Sequence, residues 1–487
     1  MTARALWTLE AMASAMRAAR QGALPESVTG LSIDSRSIVS GEAFFAIRGD
    51  HRDGHDFVAD ALAADAALVV VAVDRRTQFP GDAPLLVVPD VLNALRDLAA
   101  AARARMHGKV IGVTGSVGKT GTKEALRLAL SKDGETHASV ASYNNQWGVP
   151  LSLARCPSSA RYAVFEMGMN HAGEIAPLSR LVRPHVAIVT TIAPVHLEFL
   201  GSLANIADAK AEIFLGVPND GAAVINRDIA QFTQLEQRAR QSGIARVISF
   251  GEHQDADARL IKCALHARCS TVEAQILGTR FSYKIGAPGR HLVINSLAVL
   301  ATAELAGADL ALAALALSEL HAAPGRGAPI TIELPGGSAL ILDESYNANP
   351  ASVEAALAVL GRTVIGPQGR RIAVLGDMLE LGPNGPDLHR GLSDAVVANG
   401  VDLVFCCGSL MHALWDALPA GRRAGYAENS AMLEAQVVPA IRAGDAVMVK
   451  GSLASRMALI VKALQRAYPR HEMLADASVQ GCASVQG

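Results

Sequence analysis

From Val110 onward the chain repeats one pattern: a short apolar run, a turn, then a stretch with helical spacing. Val110-Ile111-Gly112-Val113-Thr114, Tyr162–Phe165, Val186–Thr190 and Ala222–Ile225 are continuous apolar runs of strand length. Continuous apolar character predicts strands buried on both faces, and strands that alternate with helices predict a parallel sheet covered by helices. Residues 259–285 depart from this. Ser270–Ile276 and Arg280–Ile285 read as strands with no helix between them, a small antiparallel appendage to the sheet. After the loop Ala323-Pro324-Gly325-Arg326-Gly327 the alternation restarts. Strands are predicted at Ala339–Leu342, Arg371–Leu375, Asp402–Phe405 and Ala446–Val449, each followed by a helix-like stretch, which makes a second doubly wound sheet.

Ahead of Val110 the pattern is looser. An amphipathic helix opens the chain, followed by turns and short strands: Ser32-Ile33-Asp34-Ser35-Arg36, then Gly41–Ile47, then the polar loop His51–Phe57. A helix (Val58–Ala64), a buried strand (Leu68–Val73) and a helix leading out (Val91–Arg105) complete this part. The expected fold class is therefore α/β. A small α/β domain spans 1–105, a central parallel-sheet domain 106–322 and a Rossmann-like domain 323–470. Residues 471–487 repeat Ala-Ser-Val-Gln-Gly and read as a disordered tail.

The most apolar long stretch, Leu292–Leu317, carries Glu304 and Asp309. A membrane span of about 20 apolar residues does not accommodate two carboxylates easily. It reads instead as two buried helices, the first ended by Gly307 and the second capped by Asp309. The first 20 residues lack the uninterrupted apolar core of a secretion signal.

Composition adds exclusions. Lys+Arg of 44 against Asp+Glu of 46 leaves a formal charge of -2, so bulk charge does not drive binding to nucleic acid or a membrane surface. Six cysteines in 487 residues, with no Cys-x-x-Cys pair, make neither a disulfide scaffold nor a four-ligand zinc site. The adjacent Cys406 and Cys407 read as core thiols, and the compartment as a reducing cytoplasm.

The strongest chemical signal is Thr114-Gly115-Ser116-Val117-Gly118-Lys119-Thr120, directly after a strand and directly before a helix. Glycines there let backbone N–H groups and a helix N-terminus surround phosphate oxygens, Lys119 supplies charge, and the Thr120 hydroxyl suits Mg²⁺. Val113 stands where the strict pattern has its first glycine. The loop by itself says nucleotide, without choosing motor, kinase, switch or ligase.

Three further residues are candidates. Glu166 ends a predicted strand, where a carboxylate faces the ligand crevice and could hold Mg²⁺, or could merely cap. His196 follows the strand Val186–Thr190 and reads equally as structural. Lys210, by spacing alone, is a helix-surface lysine.

Together these residues resemble the Mur ligases, the ATP-dependent amide ligases of bacterial cell-wall precursor synthesis. The loop at 114–120, Glu166-Met167-Gly168, His196 and Lys210 fit that family in the right order. The resemblance implies that Glu166 and His196 help place Mg²⁺. It implies Lys210 as a site of carbamylation, which would turn a cation into a carboxylate-like ligand or orienter. Gly289-Arg290-His291-Leu292-Val293-Ile294-Asn295 is similar to a family segment, with Leu292 in place of an Asn; Asn295 is then a contact on the adenine side. Arg326 is similar to the family's arginine that reaches the ATP phosphates, and Asp343 to its ribose-side or hinge-side acid.

Asp343-Glu344-Ser345-Tyr346-Asn347-Ala348-Asn349-Pro350, Leu375–Gly382 and Tyr143–Pro150 resemble one branch of the family. That branch joins D-alanyl-D-alanine to UDP-N-acetylmuramoyl-tripeptide. The resemblance then makes Ser35, Arg36, Asp53, His55 and Asn145 contacts for the UDP-sugar peptide. It implies ATP and Mg²⁺ as cofactors, a monomer, and no nucleic-acid or membrane partner. Another Mur-type or folylpolyglutamate-type ligase is the nearest alternative, and an ATP-driven switch that ligates nothing is the alternative from a different class.

Overall fold

The computed structural model describes residues 4–140 and 142–469, so the repeat-bearing tail lies outside the described residues. The chain forms two compact units that part between His321 and Ala322.

The first unit holds two main sheets. The N-terminal sheet has five strands in the order Ala19–Gln21, Leu85–Val88, Leu68–Ala72, Glu42–Phe45, Gly30–Ser32; the first is antiparallel to its neighbour and the others run parallel. The second sheet has nine strands: Thr279–Ile285, Ser270–Ile276, Ala258–Leu265, Arg246–Gly251, Ala222–Asn226, Val186–Val189, Lys109–Thr114, Tyr162–Glu166 and Thr136–Ala138. Its first two strands form the expected antiparallel appendage, and the rest are parallel. Strands Arg246–Gly251 and Thr136–Ala138 escape the sequence pattern, because the first opens on an exposed Arg246 and the second is only half-buried.

Alternate residues of one strand feed different cores. Ala163 and Phe165 pack into a core shared with the N-terminal sheet, while Tyr162 and Val164 pack into a second core on the opposite face. Burial on both faces is why these strands lack polar alternation. The shared core also explains why two sheets form one unit. The helix Gly148–Ala154 is buried along its whole length and packs against the helix Val91–Arg105. Trp7 Nε1 donates to the Ala154 carbonyl at 2.9 Å, and Arg155 Nε donates to the Leu31 carbonyl at 2.7 Å.

On the far face, Arg290–Leu305 and Leu310–Ala316 are the two predicted helices. Gly307 (φ 76°) makes the turn between them, and the Asp309 side chain accepts from the Leu312 N–H at 2.9 Å. Among the described residues, no helix is long and apolar enough to cross a membrane.

The second unit is a six-stranded sheet in the order Ala328–Leu334, Gly337–Glu344, Ala446–Lys450, Arg371–Gly376, Leu403–Cys407, Arg423–Ala427. Its first strand is antiparallel and the others are parallel. Cys406 and Cys407 are buried at the end of their strand, as the sequence predicts.

The strand–helix turn of residues 114–119 depends on two glycines. Gly115 has φ 145°, and a Cβ there would meet Thr190 Oγ1 at 1.9 Å. Gly118 has φ 87°, and a Cβ there would lie 2.5 Å from Asn295 Nδ2. Side chains in such conformations carry strain on the order of 1–3 kcal/mol. Gly118→Ala is therefore expected to weaken ADP binding by about tenfold or more. Titration calorimetry on the variant checks this, and parent-like affinity would contradict it.

Candidate functional site

Strand order assembles the site. Lys109–Thr114 lies between Tyr162–Glu166 and Val186–Val189, with Glu166 in register with Val113 and Val189 with Thr114. The C-terminal ends of all three strands meet at the phosphate-type loop, where open parallel sheets bind ligands. The loop is laced to the third strand. Thr190 Oγ1 donates to the Val117 carbonyl at 2.6 Å, and the Ser116 N–H donates to the Thr191 carbonyl at 2.8 Å. The Ser116 hydroxyl donates to the Ala193 carbonyl at 3.1 Å and accepts from the Ala193 N–H at 3.0 Å.

Glu166 is 1% exposed. Its Oε2 accepts from the Thr120 hydroxyl at 2.7 Å, and its Oε1 accepts from Asn144 Nδ2 at 2.7 Å. A buried hydroxyl oxygen beside a carboxylate is a hard-oxygen donor set that fits Mg²⁺. Among the described residues, no three His, Cys, Asp or Glu side chains gather into a metal cage. An ion held here would take its remaining ligands from phosphate and water, as Mg²⁺ at nucleotide sites does.

Lys119 Nζ donates to the Gly115 carbonyl at 2.6 Å, which keeps the ammonium folded over the loop. Asn295, on the helix Arg290–Leu305, stands against Gly118. His196 follows the segment clamped by Ser116. It has a left-handed backbone (φ 53°) and opens the short helix Leu197–Leu200.

Lys210 corrects the surface reading made from spacing. It is 1% exposed, on a helix whose Ile206, Ala207, Ala209 and Ala211 are buried as well. Burial pushes its ammonium well below the usual lysine range, and the positive charge of Lys119 adds to the shift. Two residues on, the Glu212 carboxylate accepts from the N–H groups of Gly173, Ile175 and Ala176 at 2.6, 3.1 and 3.0 Å. This fastens the Lys210 helix to the loop that leaves Glu166.

The predicted substrate contacts fall into two groups. Asp53 takes Arg75 at 2.9 Å and Arg48 at 3.4 Å on one oxygen. Ser35 lies in the one-turn helix Ser35–Ser37, and Arg36, 84% exposed, forks onto Asp34. The Arg48–Asp53 loop adjoins the Asn144 segment, because a Cβ on Gly49 would lie 3.0 Å from the Trp147 ring. His55 is engaged within the chain. Its ring is buried, Nδ1 donates to Asp53 at 2.5 Å and Nε2 accepts from the Ala72 N–H at 2.9 Å, so no ring nitrogen remains for a substrate. Asn145 Oδ1 accepts from the Trp147 and Gly148 N–H groups at 3.2 and 2.9 Å, opening the buried helix. Its neighbour Asn144 touches Glu166. The signal for Asn144 was the Asn-Asn pair itself, but the pair does not say which member points inward.

In the second unit, the Arg326 guanidinium lies 4.0 Å over the Tyr346 ring. Asp343 anchors the Arg326 loop: its carboxylate accepts from the Gly325 N–H at 2.9 Å and from the Ser345 hydroxyl at 2.6 Å. Glu344 pairs with the buried Lys450 at 3.1 Å.

Comparison with known proteins places this geometry in a family. Residues 27–103, 113–303 and 332–453 match, respectively, the models for the Mur ligase family catalytic domain, the Mur ligase middle domain and the Mur ligase glutamate ligase domain. UDP-N-acetylmuramoyl-tripeptide–D-alanyl-D-alanine ligase of Escherichia coli (strain K12) is 34% identical over 94% of this chain and 98% of its own length. The Bacillus subtilis (strain 168) ligase of the same name is 31% identical over 90% and 93%. A crystal structure of MurF from Acinetobacter baumannii superposes with a TM-score of 0.79 at 27% identity, covering 94% of this chain and 99% of that one. MurF ligase from Thermotoga maritima in complex with ADP gives 0.73 at 25% identity, covering 90% and 97%. The chain belongs to the Mur ligase family.

Proposed function

We propose that this chain joins D-alanyl-D-alanine to UDP-N-acetylmuramoyl-tripeptide, forming ADP and phosphate. The observation that carries this reading is the likeness to ligases of that name over more than nine-tenths of the chain. ATP dependence and a nucleotide-sugar substrate suit a cytoplasmic enzyme.

A carboxylate resists an amine because oxide is a poor leaving group. Moving the γ-phosphoryl of ATP onto the tripeptide carboxylate gives an acyl phosphate and ADP. The dipeptide amine then attacks the acyl carbon, phosphate departs, and the amine gives up a proton. In this reading the loop amides from Val117 to Thr120 bind the phosphates, and Lys119 exchanges the Gly115 carbonyl for a phosphoryl oxygen as charge builds there. Thr120 and Glu166 would hold Mg²⁺, which when bound neutralises phosphoryl charge. Within the second unit, Arg326 lies on a loop tied down by Asp343.

The surroundings of Lys210 favour its carbamylation. A lowered pKa favours loss of the ammonium proton, and the neutral amine adds to CO₂ with loss of one further proton to give an anionic carbamate. The carbamate would offset the nearby Lys119 charge and turn a buried cation into an oxygen donor.

Three outcomes are expected. Phosphate release from ATP requires both the UDP-muramoyl tripeptide and D-alanyl-D-alanine, with the ligated product seen by mass spectrometry. Release without either substrate, or without amide product, would support the switch reading instead. Lys119→Ala lowers kcat by at least about a hundredfold with the fold intact by circular dichroism; near-parent turnover would remove the phosphate-loop assignment. Lys210→Ala is nearly inactive and partly rescued by added short carboxylates, and a lack of any rescue would count against the carbamate.

A further inference from the structure

Lys123 lies one turn beyond Thr120 on the helix Lys119–Ser131, and its side chain is 0% exposed. A buried ammonium is costly unless paired and hydrogen-bonded, and an apolar side chain of similar size would fill the space without that cost. Here Nζ lies 2.8 Å from the Glu124 carboxylate and donates to the Ser139 carbonyl at 2.6 Å. Burial alone would raise the Glu124 pKa, but the Lys123 ammonium and the Arg127 guanidinium outweigh it and hold that carboxyl below its usual range.

Ser139 is itself fastened to the strand that carries Glu166. Its N–H donates to the Val164 carbonyl at 3.2 Å, two residues before Glu166. Five residues on, Asn144 is fastened to the same strand's exit. The Gly168 N–H donates to the Asn144 carbonyl at 2.8 Å, and Asn144 Nδ2 donates to Glu166 Oε1 at 2.7 Å. The other Glu166 oxygen accepts from Thr120, on the helix that carries Lys123. Lys123 thus holds Ser139 to the phosphate-loop helix, while Thr120 and Asn144 hold the two oxygens of Glu166.

We propose that Lys123 is a positioning residue for divalent-cation binding: it pins Ser139 to the phosphate-loop helix, sets Asn144 against Glu166, and so fixes the carboxylate where the ion would sit. Lys123 acts through these groups and is assigned no contact with nucleotide or substrate. The inference rests on one part of the ligase reading, that Thr120 and Glu166 are the ion-binding oxygens, and not on which amide is formed.

The test uses Mn²⁺ as an ion visible by electron paramagnetic resonance, titrated into the full chain with ADP. Lys123→Met keeps the volume and removes both charge and donor; Lys123→Arg keeps both. Mn²⁺ is expected to bind Lys123→Met about tenfold more weakly than the parent, and Lys123→Arg within about threefold, the scale on which outer-shell partners of metal ligands act. ADP affinity without divalent ion stays at the parent value in both. In turnover, excess Mg²⁺ recovers the kcat lost by Lys123→Met, while KM for the UDP-sugar peptide is unchanged. Parent-like Mn²⁺ affinity in Lys123→Met, with a lowered melting temperature, overturns the proposal and leaves Lys123 as a core-filling residue. If Lys123→Met does not fold, Lys123→Gln, whose donor falls one atom short, decides by the same titration: severalfold weaker binding supports the proposal and unchanged binding overturns it. Weaker Mn²⁺ binding without any amide product in the parent would instead fail the ligase reading and leave this inference standing.

Discussion

A hydroxyl on the first turn of a helix and a carboxylate at the end of the neighbouring strand meet at 2.7 Å in a buried place. The rest of the site is built around keeping Thr120 and Glu166 there. The phosphate-loop strand must lie beside the Glu166 strand, in the register that sets Glu166 opposite Val113. The turn between strand and helix must be tight enough to bring Thr120 back over the sheet, which needs the positive φ of Gly115 and Gly118 and their close approach to Thr190 and Asn295. Asn144 takes the remaining carboxylate oxygen, so Glu166 is held from two sides.

Two lysines of the same unit are fully buried, and their surroundings separate their roles. Lys123 has a carboxylate at 2.8 Å and a carbonyl at 2.6 Å, so its charge is compensated where it sits. For Lys210, burial and the repulsion of Lys119 both act to remove the proton. The first environment suits a permanent brace and the second a reactive amine. The Glu212 carboxylate adds a fixed geometry between the Lys210 helix and the exit of the Glu166 strand.

Much of this was legible in the sequence where a residue's job follows from local pattern. The continuous apolar runs match the parallel strands, Asp309 matches its cap, and Gly-Lys-Thr sits, as expected, in a glycine turn between a strand and a helix. What escaped depends on tertiary neighbours. Lys210 read as a surface lysine, and nothing singled out Lys123, because helical spacing cannot reveal a helix buried on most of its faces. The family resemblance makes His55 a substrate contact, whereas in the fold its two ring nitrogens serve Asp53 and Ala72. Asn144 and Asn145 are chemically the same in sequence, and only the return of the strand Tyr162–Glu166 distinguishes the carboxylate partner from the helix-opening one. The half-buried edge strand Thr136–Ala138 carried no apolar run to announce it.

A ligase of this kind activates its carboxylate by phosphorylation at these strand ends. Fate of oxygen tests it most directly. The UDP-muramoyl tripeptide is prepared with ¹⁸O in the carboxylate that becomes the amide, and the phosphate released during turnover is analysed by mass spectrometry. One labelled oxygen is expected to pass from substrate into phosphate, because the acyl C–O bond breaks when the amine displaces the phosphate. Unlabelled phosphate released alongside the ligated product would contradict it.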